Sequence, residues 1–248
     1  MVRNQVFLYG ITALISFLIF LSVFAPASLA FKFFQDDIAQ IPDTSIFQIT
    51  GSVWNGSADV QYRNFPNSKI NWKLAPNSIL EGSADLTFIA SGESHELTGQ
   101  LFANGYQAKF LGLQGKIDST YINQVGKNHG IIMSGTFELK DINLTVDKAW
   151  FSLASGAIDW TGGKIMYQTG NGRQSVNLPP LKGVFTVKEQ KLILYVYNES
   201  KSMFSIHLQR DGWVSLRFNQ RFLSLAGLLG GENFDPDTVI FTVEEKIL

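Results

Sequence analysis

The side chains that could do chemistry in this 248-residue chain are few and widely separated. Its three histidines are His95, His129 and His207, and no two have the His-x-His or His-x-x-x-His spacing of a metal site. His207 alternates with apolar neighbours, which predicts an exposed polar residue on a strand. His95 lies in Glu93–Glu96, which we interpret as a solvated turn because a catalytic or metal role would need distant partners.

Other reaction chemistries lack their motifs as well. The chain has no cysteine, which excludes thiolate ligands, disulfides and cysteine nucleophiles. It has no Gly-x-Ser-x-Gly elbow, and its Gly-Lys pairs lack the remaining residues of a phosphate-binding loop. Asp36-Asp37 is typical of a solvated linker. The sequence therefore predicts no enzyme activity, no metal and no cofactor.

The charge balance argues against a nucleic-acid partner. The 20 Lys and Arg residues nearly match the 21 Asp and Glu residues, for a formal net charge of −1. Binding to nucleic acid requires a basic face that neutralises phosphates, and no block of positive charge occurs.

An apolar segment near the N-terminus would position the rest of the chain relative to a membrane. No charged residue occurs between Asn4 and Phe31, and Val6–Phe24 has about the 20 residues that a helix needs to cross the hydrocarbon core. It is apolar all round, which favours a transmembrane helix over a helix of a soluble core. Ser28-Leu29-Ala30 resembles a signal-peptide cleavage site, so cleavage stays an alternative, although signal h-regions are usually shorter.

With either fate, the rest of the chain is exported as one domain. A short cytoplasmic tail and a translocated C-terminal domain are the commoner arrangement, and the slight Lys/Arg bias is compatible with it. The expected divisions are a tail at 1–5, a transmembrane helix at 6–25, a post-membrane linker at 26–45 and a β-rich domain at 46–248.

Beyond the linker the sequence alternates with period two, which predicts antiparallel strands with one apolar and one polar face. The clearest runs are 70–74, 84–88, 137–140, 206–208, 214–219 and 239–246. Leu192–Tyr197 is apolar on both faces and is expected to be a central strand. Turn residues separate the runs. The predicted turns are Asn55-Gly56, Asn104-Gly105, Asn171-Gly172, Glu189-Gln190 and Asp211-Gly212.

Helical patterning is scarce after residue 40, and Gln220–Leu229 is its best case. We therefore predict an all-β fold, an elongated antiparallel twisted sheet after a single transmembrane helix. An echo of Gly51–Gly56 in Gly156–Gly162 suggests two similar halves. In a chain with 22 glycines, chance explains that echo equally well.

The residues that follow the apolar segment resemble type II secretion system protein N, a family with the same layout of tail, inner-membrane helix and periplasmic β domain. The likeness is specific over roughly residues 25–90, and the second half matches mainly in strand rhythm. The positions that carry it are Gly51, Trp54, Gly56, Ala58, Trp72, Pro76 and Gly82.

The resemblance implies an accessory inner-membrane subunit of a Gram-negative secretion apparatus. It would be single-pass, with its N-terminus in the cytoplasm, and would work beside other inner-membrane subunits and the outer-membrane secretin. The family supplies no catalytic residues, so the seven positions are expected to shape the fold. Free sheet edges or an apolar face would recruit partners.

A lipid-binding or lipid-transfer module is the alternative function. The chain has 20 Phe and five Trp residues, and core packing is the ordinary use of such aromatics. If one face of a half-wet sheet lacked a covering layer, the same residues would line an apolar groove next to a bilayer. The resemblance extends to periplasmic proteins with long twisted sheets, some of which handle lipids.

Overall fold

The computed structural model describes residues 2–38, 43–63, 65–126, 130–147, 150–169, 172–228 and 235–246. His129, Asn171 of the predicted Asn171-Gly172 turn, and Gly230-Gly231 lie outside these ranges.

Two helices precede the sheet. Helix α1 is Val2–Val23 and helix α2 is Ala27–Ile38, with Pro26 between them. The predicted post-membrane linker thus contains α2 and the start of the first strand. No helix within the described ranges is both long and apolar enough to cross a membrane.

The remaining elements are almost all antiparallel strands. In chain order they are β1 Thr44–Gly51, β2 Asn55–Tyr62, β3 Ser68–Leu74, α3 Pro76–Leu80, β4 Ser83–Gly92, β5 His95–Asn104, β6 Gln107–Asp118, α4 Ser119–Gly126, β7 Ile131–Met133, β8 Thr136–Asp147, β9 Trp150–Trp160, β10 Gly163–Thr169, β11 Gly172–Leu178, β12 Leu181–Lys188, β13 Lys191–Asn198, β14 Lys201–Leu208, β15 Trp213–Asn219, α5 Gln220–Leu225 and β16 Val239–Lys246.

Thirteen of these strands form one sheet in the order β1-β2-β3-β4-β5-β6-β8-β9-β12-β13-β14-β15-β16. At about 4.8 Å between strands it extends roughly 58 Å along the hydrogen-bonding direction. Strands β11-β10-β7 form a second, three-stranded sheet. The predicted antiparallel all-β fold is confirmed, and β13 is a central strand as expected.

One face of the large sheet carries rows of apolar residues toward both of its edges. Residues that are paired in register on neighbouring strands point to the same side. Phe185, Leu194, Ile206, Leu216 and Val243 form one cross-strand row over five strands. Near the other edge, Ala58, Ile70, Ala90 and Leu97 form a similar row. In β3 the predicted alternation is confirmed, since Ile70, Trp72 and Leu74 are half-buried and the residues between them are exposed.

Most predicted turns are present. Glu189 and Gln190 join β12 to β13 with φ values of 51° and 58°, the left-handed pair of a type I′ hairpin turn. Asp211-Gly212 lies in the turn between β14 and β15, and Asn104-Gly105 lies at the turn between β5 and β6, with Asn104 as the last residue of β5.

The turn prediction at Asn55-Gly56 is wrong, because these residues begin β2 and the hairpin tip is Val53-Trp54. Gly56 serves a close approach instead: a Cβ there would lie 2.5 Å from a ring carbon of Trp72. The sequence echo is not structural either. Gly51–Gly56 forms a hairpin, whereas Gly156 to Trp160 lies within β9.

Three insertions fold over the apolar face from the same end of the strands. They are α4 with β7, the β10–β11 hairpin, and α5. Helix α5 begins at the predicted residue, Gln220, but ends at Leu225, where Gly227 follows with a φ of 68°. The core that results is Trp160, Leu178, Leu181, Val196 and Met203, between the two sheets.

Candidate functional site

All seven residues singled out in the sequence lie in or beside one corner of the sheet. The corner comprises the α1–α2 junction at Ala25-Pro26, the β1–β2 hairpin, the end of β3 and helix α3; it is called the junction corner below. Gly51 has a φ of 82°, and a Cβ there would lie 2.5 Å from the backbone oxygen of Asn55. Only glycine combines this left-handed backbone conformation with the absence of a Cβ.

The indole of Trp72 holds the hairpin tip against β3. Its Nε1 donates a hydrogen bond of 3.0 Å to the carbonyl oxygen of Val53. The backbone N–H of Leu74 donates to the carbonyl of Trp54 at 2.8 Å. Gly56 and Ala58 lie under this contact on β2, and Ala58 is buried.

The same hairpin is bonded to the end of α1. The N–H of Val53 donates to the carbonyl of Ala25 at 3.0 Å, and Pro26 forms an isolated β-bridge with Ser52. The chain leaving α1 is therefore fixed to the edge of the sheet within two residues of the end of that helix.

Helix α3 completes the corner. Pro76 occupies its first turn, where the missing N–H costs nothing, and Gly82 follows it with a φ of 74°. The Ser78 hydroxyl donates to the carbonyl of Ala75 at 2.7 Å and accepts from the N–H of Asp85 at 3.0 Å. Sequence reasoning missed Ile79 and Leu80, two consecutive apolar residues that α3 leaves exposed. Their position outside any alternating run was the available signal.

A second candidate site is an apolar cavity of about 330 Å³ between the two sheets. Its lining comes from the large sheet, from the second sheet and from α4 and α5. Phe222 of α5 closes one side, with its ring 5.1 Å from Phe204 and 5.3 Å from Phe218. No lining residue is polar, so the cavity offers no group for acid–base chemistry. Its location was not predicted, because the covering insertions carry no sequence motif.

His95 is not in a solvated turn, contrary to the sequence interpretation. It is 7% exposed at the start of β5, with Nε2 hydrogen-bonded to Ser68 Oγ at 2.7 Å. The ring meets Tyr121 of α4 edge-on, with centroids 4.7 Å apart, so the α4 insertion buries it. This burial lowers the pKa of His95.

The exposed position predicted for His207 is also wrong. His207 is 8% exposed and its Nε2 lies 2.8 Å from Ser205 Oγ. It lies on the face opposite the apolar one, where Ile193 and Ser215 are buried too. Burial first, and then the positive charges of Arg217 and Lys191, lower its pKa. Neither histidine lies in a group of potential metal ligands, because the described part of the chain contains no cluster of three or more His, Asp or Glu residues that could hold an ion.

Comparison with known proteins gives one match. The model of the family "Type II secretion system (T2SS), protein N" matches residues 42–239, about four-fifths of the chain. The matched region runs from just before β1 to the first residue of β16 and includes the hairpin and α3 of the junction corner. No curated protein and no solved structure matches the chain.

Proposed function

We infer the function from one premise: this chain belongs to the type II secretion system protein N family. Family membership implies a role in type II secretion together with other components of that machinery. Within this role we propose an accessory, non-catalytic subunit. The β domain acts as a scaffold in the periplasm, beside inner-membrane subunits and the outer-membrane secretin.

The observation that carries the scaffold proposal is the edge strand β16. It pairs with β15 on one side, and no described strand pairs with it on the other. Phe241 and Val243 extend the apolar face to this edge and are exposed. A partner strand added here would satisfy the outer backbone groups of β16 and cover both side chains.

The inner-membrane anchor of the proposal is α1. Its support is the uncharged run Val6–Phe24 in the sequence. Apolar side chains along α1 are exposed to solvent in the isolated chain, among them Phe7, Phe17 and Phe20. A bilayer would cover them, and we expect the full chain to remain with membranes after alkaline carbonate extraction.

The test of the scaffold is co-purification of the full-length tagged protein from detergent-solubilised membranes. Val243→Lys places a charge on the apolar face at the edge strand, which natural sheets use to prevent strand addition. Thr242→Lys is the matched control, because it places the same charge one residue away on the opposite face. We expect the first variant, and not the second, to lose secretion subunits several-fold. Equal recovery with both variants contradicts docking at β16.

Lipid binding is the second candidate function, and the apolar cavity favours it. A volume of about 330 Å³ lies at the lower end of the range for small-molecule sites. Mass spectrometry of lipids retained after purification tests the idea, with Ile206→Trp as the variant that fills the cavity. We expect lipid with the unchanged protein and less with the variant. A lipid-free unchanged protein excludes this function.

A further inference from the structure

The most exposed large apolar side chain that the structure describes is Leu80, at 89%. Its neighbour Ile79 is exposed as well, and both lie at the end of α3. A leucine in this position adds nothing to the core, and exposed apolar side chains grouped at one place mark an interaction surface.

Hydrogen bonds to β4 fix the backbone of helix α3, which carries these two side chains. The Ser78 hydroxyl bridges the start of α3 to the N–H of Asp85 on β4, and Ser83 Oγ donates to the carbonyl of Ser78 at 3.1 Å. The N–H of Ala75 donates to the carbonyl of Asp85 at 2.8 Å. The apolar end of α3 is therefore preorganised rather than a free loop.

The location of α3 suggests what it contacts. It lies in the junction corner, where the chain leaving α1 is bonded to the β1–β2 hairpin and the hairpin is bonded to β3. Neighbouring strands are about 4.8 Å apart, so α3 lies about 5–10 Å sideways from the hairpin tip. Phe24 and Leu29, on the other side of this junction, are also exposed.

We propose that Ile79 and Leu80 insert into the surface of the bilayer to which α1 is proposed to anchor the chain. The inference rests on the proposed anchoring of α1, which would hold this corner at the membrane–water interface. The interfacial zone is about 5–7 Å thick on each side, and short apolar projections are stabilised by burial in it. A protein partner is the other class of occupant. The bilayer is favoured because α1 continues into the corner that carries both side chains.

This contact would do more than add affinity. A single helix leaves a domain free to rotate and tilt about its exit point. A second attachment at α3 would set the angle of the thirteen-stranded sheet to the membrane. The edge strand β16, at the opposite end of the strand order, would then be presented in a defined direction.

The absence of cysteine allows a clean test, because one introduced cysteine carries the only label. Full-length Leu80→Cys, labelled with an environment-sensitive fluorophore, is reconstituted in vesicles of phosphatidylethanolamine and phosphatidylglycerol. Ile89→Cys is the matched control, an exposed aliphatic position on the polar face of β4. We expect nitroxide-labelled lipids to quench the label at position 80 at least several-fold more than the label at position 89.

The outcomes separate the two proposals. Protein that does not float with the vesicles contradicts anchoring by α1. Protein that floats but shows equal quenching at positions 80 and 89 overturns the α3 contact and leaves the anchor intact. Protection of position 80 only after a secretion subunit is added also overturns it, because the occupant is then a protein.

Discussion

The two ends of the large sheet share one apolar face but differ in what covers it. In β9 and β12–β15 that face packs against the β11-β10-β7 sheet and α5, and Trp160, Leu181 and Val196 are buried. In β3–β5 the corresponding residues, such as Trp72 and Phe88, are only half-buried. Alternation of apolar residues thus specifies a face, whereas insertions between strands decide whether the face becomes a core. The end of the sheet around β3–β5, called the thin end below, lacks this covering layer in the described part of the chain. The hydrogen bonds of the junction corner are the one feature that compensates for the smaller core there.

The strongest test of this comparison uses two tryptophans that make the same bond. The Nε1 of Trp160 donates to the carbonyl of Ser134 and that of Trp72 to the carbonyl of Val53, both at 3.0 Å. They differ in burial, so Trp160→Ala should cost about 3–5 kcal/mol of unfolding free energy and Trp72→Ala about half as much. Urea unfolding of the full chain in detergent measures both. Equal losses would mean that the two ends are equally well packed.

The second test breaks the compensating feature at the thin end. Gly56→Ala brings a Cβ to 2.5 Å from the Trp72 ring and 2.7 Å from the carbonyl oxygen of Thr50. Overpacking of this kind typically costs about 1–3 kcal/mol. Gly105→Ala is the control, because nothing lies within 4 Å of a Cβ there. When Trp72 is also replaced by Ala, Gly56→Ala should still cost part of this unfolding free energy, since the Thr50 oxygen remains close to the new Cβ. If Gly56→Ala then cost nothing, the Trp72 ring alone would be what excludes a side chain at residue 56.

These two sites also show what sequence reasoning could recover. The alternation of Ile70, Trp72 and Leu74 predicted the half-buried and exposed positions of β3 from residue 70 to residue 74, because a strand with one covered face needs it. Leu192–Tyr197 was recognisable as a central strand because it is apolar on both faces, and Ile193 and Val196, which point to opposite faces, are both buried. Gly56 was misread as a turn residue because a glycine required by a close approach and one required by a turn look alike in a sequence.

The cavity and the burial of His95 could not be predicted, for a different reason. Both depend on which insertion folds over which strands, and this is a long-range choice. Tyr121 reaches His95 only because α4 returns over the strand ends. Nothing in the local pattern around His95 distinguishes a turn from a covered strand start.

The two histidines provide a third test, in which the pH dependence of stability is measured separately at each end of the sheet. Burial lowers the pKa of both His95 and His207, so each binds protons more readily in the unfolded chain. Their contribution to stability is complete above the unfolded pKa of about 6.5 and is lost as the pH falls through the folded value. Protonated His95 would also leave Nδ1 without a hydrogen-bond acceptor among the described residues.

Hydrogen exchange at a series of pH values would assign the effect to a region. On acidification, His207→Gln should reduce the loss of protection in β13–β15, and His95→Gln should reduce it in β4–β6. Each glutamine can still hydrogen-bond the serine, so packing is disturbed little. If either variant changed both regions equally, the two ends would unfold as one unit.

The smallest effect is expected on the polar face of β8 and β9, where the charged side chains are solvated. Lys140 lies 2.8 Å from Asp159 and 3.1 Å from Glu138, and these carboxylates raise its pKa. The group is solvated, and exposed ion pairs of this kind contribute little because water and salt screen them. Lys140→Gln should therefore leave the urea midpoint unchanged within error in both low and high salt. A fall in the urea midpoint that appears only at low salt would show that these charged side chains on β8 and β9 stabilise the sheet from its polar face. Burial on the apolar face would then not be the only cause of the difference in stability between strands.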